Sequence, residues 1–384
     1  MSAPSIVVIL GNRPQFVKHA AIARAWANSG SDVRQVIIDT GQHYDHALNG
    51  IFVDELAIPE PTHSLGVGSA SHAEQLARML PPIEEILLRE KPASVVLYGD
   101  TNSTLGGALV ASKLNVPIAH IEAGLRSFDM TMPEEVNRVM TDHVSSMLFA
   151  PTDGAVANLQ REGIAGERVH RTGDVMADIA LIAAARSAGR LDAIAATLAK
   201  RGIDMPAAGT YGVVTIHRAS NTEPDALRDV IECLTAAAAR LPLVFPMHPR
   251  TQAAVEHAGL HVQLAAIDGL TILPPLGYVD MTAVLMAARV AITDSGGLQK
   301  EAFVHGVPCI TLRDRTEWTE TVDAGWNVVT ATDAAAVERA LAAHAAAFGD
   351  EPWNHDRPDL YGSGDASTQI MDVLLRHASV SAPF

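Results

Sequence analysis

The chain has 384 residues, 48% of them hydrophobic, enough for about two domains of ordinary size. Its formal net charge of −16 argues against a nucleic-acid partner, whose binders present a basic face. A phosphorylated ligand stays open, because a local site can be positive inside an acidic protein.

The first residues are neither basic nor followed by a long apolar core, and no run reaches the roughly twenty apolar residues that a membrane helix needs. The expectation is a cytoplasmic protein with no membrane contact. The two cysteines, Cys233 and Cys309, lie in apolar sequence with no metal-ligand spacing, as buried thiols do in a reducing compartment.

In chain order, a short β-branched run at 6–10 predicts a strand that turns at Gly11-Asn12-Arg13-Pro14 into a helix over 15–28. A second strand over 33–40 ends in Thr40-Gly41-Gln42-His43, and helical spacing fills 71–89. A strand at 93–98 leads into Gly99-Asp100-Thr101 and a helix over 102–114; strand 117–121, helix 133–146 and strand 148–150 follow. The alternation restarts after an Ala-rich, largely helical stretch at 173–206. Strands are predicted at 211–216, 243–246, 271–273, 290–293 and 308–312, with helices at 223–240 and 298–304. Strands alternating with helices argue parallel sheets covered on both faces. The fold class is therefore α/β, with two Rossmann-like domains facing across a cleft. In such sheets ligands bind beyond the carboxyl ends of the strands.

Candidate functional residues gather at those ends. Arg13 follows the first strand, with Lys18 about one helical turn on, a plausible clamp for a diphosphate. Ser295-Gly296-Gly297 joins a strand to a helix, a turn that aims backbone N–H groups and a helix dipole at an anion. Asp100 and Glu122 each end an apolar strand, and Glu134 and Glu135 open the next helix. A desolvated carboxylate needs partners, so separate acids near one cleft suggest an acid and a base on opposite faces of a substrate. Plainer readings exist: Asp100 as the cap of the helix at 102, and the two glutamates as favourable charges at a helix N-terminus. His217 and His248 also follow strands, in no metal-ligating pattern. There is no P-loop, no Gly-x-Gly-x-x-Gly after the first strand and no nucleophile elbow. The expectation is an enzyme with no metal and no cofactor.

These motifs resemble the non-hydrolysing UDP-N-acetylglucosamine 2-epimerases of bacteria. The resemblance runs from Gly11-Asn12-Arg13-Pro14 through Gly99-Asp100-Thr101, His120-Ile121-Glu122-Ala123-Gly124-Leu125-Arg126 and Met132-Pro133-Glu134-Glu135 to His217-Arg218, Asp294-Ser295-Gly296-Gly297 and Arg315-Thr316-Glu317-Trp318. It implies the two-domain glycosyltransferase-B fold, commonly a homodimer, and an isomerase acting on a UDP-sugar. Residues 1–172 would form the N-terminal domain, with a final helix over 365–384 packing back on it; residues 173–364 would form the UDP-binding domain. The implied reaction eliminates UDP across C1–C2 to give a 2-acetamidoglucal, then adds UDP back with the proton on the other face. By resemblance Asp100, Glu122 and Glu134 are the catalytic acids, Lys18 and Arg138 organise their charge, and Arg13, His217, His248, Ser295, Gly296, Gly297 and Glu301 hold UDP.

Two departures from the family pattern stand out. Gln15 takes the place of a common Glu, and Ser220 takes another. Many members also bind a second UDP-N-acetylglucosamine as an activator; of that site Gln42 and His43 are present, but Asp45 replaces a second Gln and no Arg follows at 65–71. Weak or absent activation by substrate is expected. Open alternatives are a hydrolysing 2-epimerase releasing UDP and N-acetylmannosamine, a 2-epimerase of a modified UDP-sugar, a sugar transferase on the same fold, and a non-catalytic sensor.

Overall fold

The computed structural model describes residues 4–42, 58–349 and 355–380. The chain forms two compact units, 1–179 with 361–384, and 180–360.

The first unit is built on a seven-stranded sheet. Its strands are β1 Ser5–Leu10, β2 Arg34–Asp39, β3 His63–Ser64, β4 Ser94–Tyr98, β5 Ile118–Ile121, β6 Met147–Ala150 and β7 Val169–Arg171. The order is β3-β2-β1-β4-β5-β6-β7, with parallel pairing throughout. Every residue of β1, β4, β5 and β6 is buried. This explains why these segments read as continuous apolar runs and not as alternating ones. Val7, Ile9, Val95 and Leu97 pack with Met79, Ile83 and Ala108 from the helices His72–Glu90 and Asn102–Lys113.

The second unit carries a six-stranded sheet. Its strands are β8 Gly212–Thr215, β9 Leu243–Pro246, β10 Leu270–Leu273, β11 Val290–Thr293, β12 Cys309–Thr311 and β13 Asn327–Val329, in the order β10-β9-β8-β11-β12-β13 and again parallel. Adjacent residues serve opposite faces. Val214, Phe245, Ile292 and Ile310 enter one core cluster, and Val213, Val244, Ala291 and Cys309 another. Both cysteines are buried and free of disulfides.

After β7 the chain turns closely past its own later return. Gly173 has φ +87°, and a Cβ there would lie 2.7 Å from the Tyr361 carbonyl oxygen. Asp174 N–H donates to that oxygen at 2.9 Å. The last helix, Ala366–Val380, contacts the helix Arg13–Ser29. Asp178 caps its start, accepting N–H bonds from Ala366 at 3.2 Å and Ser367 at 2.7 Å.

In each sheet the strand order reverses once. The reversal lies between β1 and β4 in the first and between β8 and β11 in the second. Connections leave a reversal point in opposite directions, so a crevice opens at the carboxyl ends of those strands.

Candidate active site

In the first unit the reversal brings the ends of β1, β4 and β5 together. Gly11 must be glycine: a Cβ there would fall 2.0 Å from Ser103 Oγ and 2.4 Å from Thr40 Oγ1. Asn12 caps the following helix by accepting the Gln15 N–H at 3.2 Å, and Pro14 suits its first turn. This helix carries Arg13 at its start and Lys18 about a turn along. Gln15 is buried and fully used as an amide: its Oε1 accepts the Gly11 N–H at 2.8 Å, and its Nε2 donates to the Tyr98 carbonyl at 2.8 Å and to Thr101 and Thr104 hydroxyls at 3.0 Å. The departure from Glu at this position thus ties the end of β1 to the end of β4.

Lys18 forms an ion pair with Glu122, and Arg138 forms one with Asp100. Asp100 is not the cap of its helix. Thr101 is, in a reciprocal capping box with Thr104, so the plain reading of Asp100 does not hold. The Asp100 backbone carbonyl instead accepts a 2.8 Å bond from Asn137 Nδ2. Burial, helped by the neighbouring charge of Glu122, raises the Asp100 carboxyl above its ordinary value despite Arg138 and Lys18. Glu122 is buried and sits at φ 74°, in the left-handed region that a side-chain-bearing residue seldom enters. Strain of this kind concentrates at functional sites.

The two glutamates of the helix Pro133–Val144 part company. Glu135 is buried and accepts N–H bonds from Ser127 and Phe128 at 2.9 Å, besides a 2.9 Å bond from Arg138. Burial pulls its carboxyl up, but these bonds win and hold it below the ordinary range. It braces the loop before the helix and orients Arg138. Glu134 is exposed, on the first turn. Gln42 is buried, its Oε1 accepting from Ser103 N–H at 3.1 Å and Ser103 Oγ at 2.8 Å. His43 and Asp45 lie outside the described residues.

In the second unit the reversal joins the ends of β8 and β11. Ser295 caps the helix Gly296–Val304, its Oγ accepting the Leu298 N–H at 3.4 Å. The Gly296 and Gly297 amides occupy the first turn, where no intrahelical acceptor exists. Nothing inside the unit requires glycine at 297: a Cβ there would meet only Ser295 Oγ, at 3.8 Å.

Sequence reasoning missed Asp294 as a functional residue, although it stands in the quoted motif. It is fully buried and accepts N–H bonds from His217 at 3.1 Å, from Arg218 at 3.0 Å and from Asn221 Nδ2 at 3.2 Å. It thereby fixes the loop after β8 against the loop after β11. A charged residue closing an apolar strand was the available signal. His217 is partly exposed, its ring 6.4 Å from that of His248. His248 caps the helix Pro249–His257 through Nδ1, which accepts the Arg250 N–H at 3.1 Å. Glu301 is nearly buried and accepts from Tyr278 Oη at 3.1 Å. Beside the turn, Arg313 grips Glu317 at 2.8 and 2.9 Å, with Arg218 3.9 Å away. Burial would raise the Glu317 carboxyl, but these cations hold it at about 2. Among the described residues, no group of three or more His, Cys, Asp or Glu is placed to hold a metal ion.

Chemically, the second group suits an anion: a helix N-terminus, a Ser hydroxyl and nearby arginines. The first group suits proton transfer, since burial raises the Asp100 carboxyl against the pull of Arg138 and Lys18 and so makes it a better proton acceptor.

The sequence profile described as "UDP-N-acetylglucosamine 2-epimerase" matches residues 26–375. The chain belongs to the UDP-N-acetylglucosamine 2-epimerase family. Within it, the chain is 42% identical over 375 residues to the UDP-2,3-diacetamido-2,3-dideoxy-D-glucuronate 2-epimerase of Pseudomonas aeruginosa, covering 97% of this chain and 99% of that one. It is 42% identical over 325 residues to a UDP-N-acetylglucosamine 2-epimerase of Methanocaldococcus jannaschii, covering 84% and 87%. The crystal structure of the M. jannaschii UDP-GlcNAc 2-epimerase in complex with UDP-GlcNAc and UDP superposes with a TM-score of 0.82 at 37% identity, covering 97% of this chain and 99% of that one. The two-unit α/β architecture is therefore the family's glycosyltransferase-B-like fold. No described helix is long and apolar enough to cross a membrane.

Proposed function

We propose that this 2-epimerase interconverts UDP-N-acetylglucosamine and UDP-N-acetylmannosamine by elimination and re-addition of UDP. A carboxylate takes the C2 proton. The C2–H electron pair becomes the C1=C2 double bond, and the C1–O bond breaks with its electrons passing to the diphosphate. Re-addition reverses each step, with the proton delivered to the opposite face of C2. The C2 proton is weakly acidic, so stabilising the departing diphosphate carries much of the barrier.

The observation that carries this reading is the pairing at the first reversal point. Two carboxylates from different strand ends, Asp100 and Glu122, are each matched to a separate cation, Arg138 and Lys18. Two carboxylates on separate supports can serve two faces of a sugar, which one cannot. Exposed Glu134 is the third acid of the set. In the second unit His217, Ser295, Gly296 and Gly297 hold the diphosphate, Glu301 takes the ribose hydroxyls, and His248 supports His217. Arg13 adds positive charge for the leaving group.

A second reading concerns the sugar. The 42% identity to the P. aeruginosa enzyme across 97% of this chain favours a 2,3-diacetamido uronate as an alternative substrate of the same chemistry. One experiment covers both: incubate the protein in deuterium oxide with each UDP-sugar and follow proton NMR. Deuterium at C2 with a UDP-linked manno product from UDP-N-acetylglucosamine supports the first reading. Turnover of the uronate alone replaces it with the second. UDP plus free sugar means that the enzyme hydrolyses, and no exchange with either sugar overturns the assignment of the carboxylates.

A further inference from the structure

The two carboxylates hang from tight turns, Gly99–Asp100 after β4 and Glu122–Gly124 after β5. Gly99, Glu122 and Gly124 all have left-handed backbone, at φ 60°, 74° and 80°. Such turns keep their shape only where the surroundings over-determine them. A buried chain of hydrogen bonds does so here, and none of its members has a part in the chemistry described above.

Its centre is His120, 1% exposed on β5. One ring nitrogen, Nε2, lies 2.8 Å from the Gly99 carbonyl oxygen. The other, Nδ1, lies 2.7 Å from Asp142 Oδ1. Asp142 is itself fully buried, and its second oxygen accepts the Gly124 N–H at 3.0 Å and pairs with Arg126 Nη1 at 2.8 Å. Arg126 continues to Glu162 through two bonds of 2.7 Å. One turn is thus held by its carbonyl and the other by its amide, through a single imidazole and a single carboxylate.

The polarity of this chain is determined by what each partner can do. A backbone carbonyl only accepts. Asp142 takes the Gly124 N–H and the Arg126 guanidinium on its second oxygen, the bonding of an ionised carboxylate, so it too is an acceptor. Both ring nitrogens of His120 therefore face acceptors. Other charged groups near the two turns include Lys18, which pairs with Glu122, and Arg138, which pairs with both Asp100 and Glu135.

We propose that His120 is a positioning residue for the epimerisation: a buried imidazolium, carrying hydrogen on both ring nitrogens, that fixes where Asp100 and Glu122 stand relative to each other. The proposal rests on the reading that these two carboxylates act at C2. A displacement of about 1 Å in a catalytic group can lower the rate about a hundredfold, so a clasp at the base of both turns acts on turnover and little on affinity. A merely structural histidine would affect stability alone.

The test uses the full-length protein. His120→Gln can donate at only one end and turns a carbonyl toward Asp142; Asp142→Asn keeps the shape but removes the charge. Both should lower kcat about tenfold or more with KM changed less than about threefold, and both should slow deuterium uptake at C2 in proportion. The nitrogen-15 spectrum of histidine-labelled wild-type protein, assigned by comparison with His120→Gln or Asp142→Asn, should show both His120 ring nitrogens protonated at neutral pH. Asp100→Asn is the reference for the underlying reading: if it retains wild-type C2 exchange, the carboxylate assignment fails. If Asp100→Asn loses exchange while the folded His120 and Asp142 variants keep wild-type kcat, the positioning proposal fails. Should His120→Gln not fold, Asp142→Asn and the wild-type spectrum decide, and one unprotonated ring nitrogen overturns the proposal.

Discussion

Gly99 leaves the opening in which Lys18 meets Glu122: a Cβ built on Gly99 would lie 3.1 Å from Glu122 Oε2 and 3.5 Å from Lys18 Nζ. The same residue has φ +60°, so backbone and space both call for glycine. Gly99→Ala should therefore destabilise the protein by about 1–2 kcal/mol, the cost of left-handed backbone with a Cβ, and also push the ion pair aside. The expected result is a lower Tm together with a kcat reduced by more than the loss of folded protein explains. A variant with lowered Tm but wild-type kcat per folded molecule would mean that the Lys18–Glu122 contact is not needed for turnover.

Gln15 offers a second test, because its amide donates to the Tyr98 carbonyl and to two threonine hydroxyls. Gln15→Glu replaces that donor with an acceptor facing a carbonyl. Leaving such a buried group unsatisfied costs about 1–3 kcal/mol. A protonated Glu restores the donor, so the folded protein should raise this carboxyl above its unfolded value of about 4.3. The sign follows from linkage: the variant keeps most of its stability below that unfolded value and loses it as pH rises toward the folded one. Thermal unfolding of variant and parent at pH 4 to 8, taken as ~one-unit steps, should show a Tm gap that widens with pH. A gap independent of pH would contradict this account.

Gly297 separates folding from ligand contact. Its hypothetical Cβ meets only Ser295 Oγ, at 3.8 Å, so Gly297→Ala fits the fold. It should leave Tm unchanged or raise it, by up to about 1 kcal/mol of helix propensity. If the turn holds UDP after the C1–O bond breaks, the same substitution lowers kcat as well as affinity. Unchanged kcat with raised KM would make the turn a passive anchor.

The raised Asp100 carboxyl can be titrated directly by carbon-13 NMR of labelled aspartate. Burial is its leading cause, with Glu122 adding to it and Arg138 and Lys18 opposing it. Arg138→Met should therefore move the Asp100 titration to higher pH, and Glu122→Gln should move it lower. If Asp100 is the base, kcat of the parent falls on the acid side as pH drops through this raised value. Shifts of the opposite sign would show that charge coupling within the cluster is misassigned.

Activation by substrate should be weak. Gln42, which the sequence resemblance alone assigns to an activator site, is buried with its carbonyl committed to Ser103. Steady-state rates against UDP-N-acetylglucosamine should be hyperbolic. A clearly sigmoidal curve that becomes hyperbolic when trace UDP-N-acetylglucosamine is added to an assay from the product side would contradict this.

Much of the framework was legible from residues alone. Strands β9 and β11 lie at 243–246 and 290–293, as their apolar runs predict, and the other long buried strands differ from their predicted bounds by one or two residues. Buried parallel strands advertise themselves because both faces need apolar side chains. The edge strands β3, β7 and β13 went unread. They are two or three residues long, too short to form an apolar run, and each contains a polar residue, His63, His170 or Asn327. The roles of Asp100 and Glu135 were also ambiguous in sequence, since an acid near a helix start looks the same whether it caps, braces or reacts.

What the sequence determined by itself was local: strand, turn and helix, the glycines, and the charged residues that end apolar runs. These depend on neighbours within a few positions, and period and capping report them directly. Only the tertiary structure decided which of those ends meet. Gln15 reaches Thr104, Lys18 reaches Glu122, and Asp294 reaches His217, across 89, 104 and 77 positions of chain. Those encounters follow from the strand orders with a single reversal in each sheet, and strand order is settled by packing of whole layers, which no local pattern records.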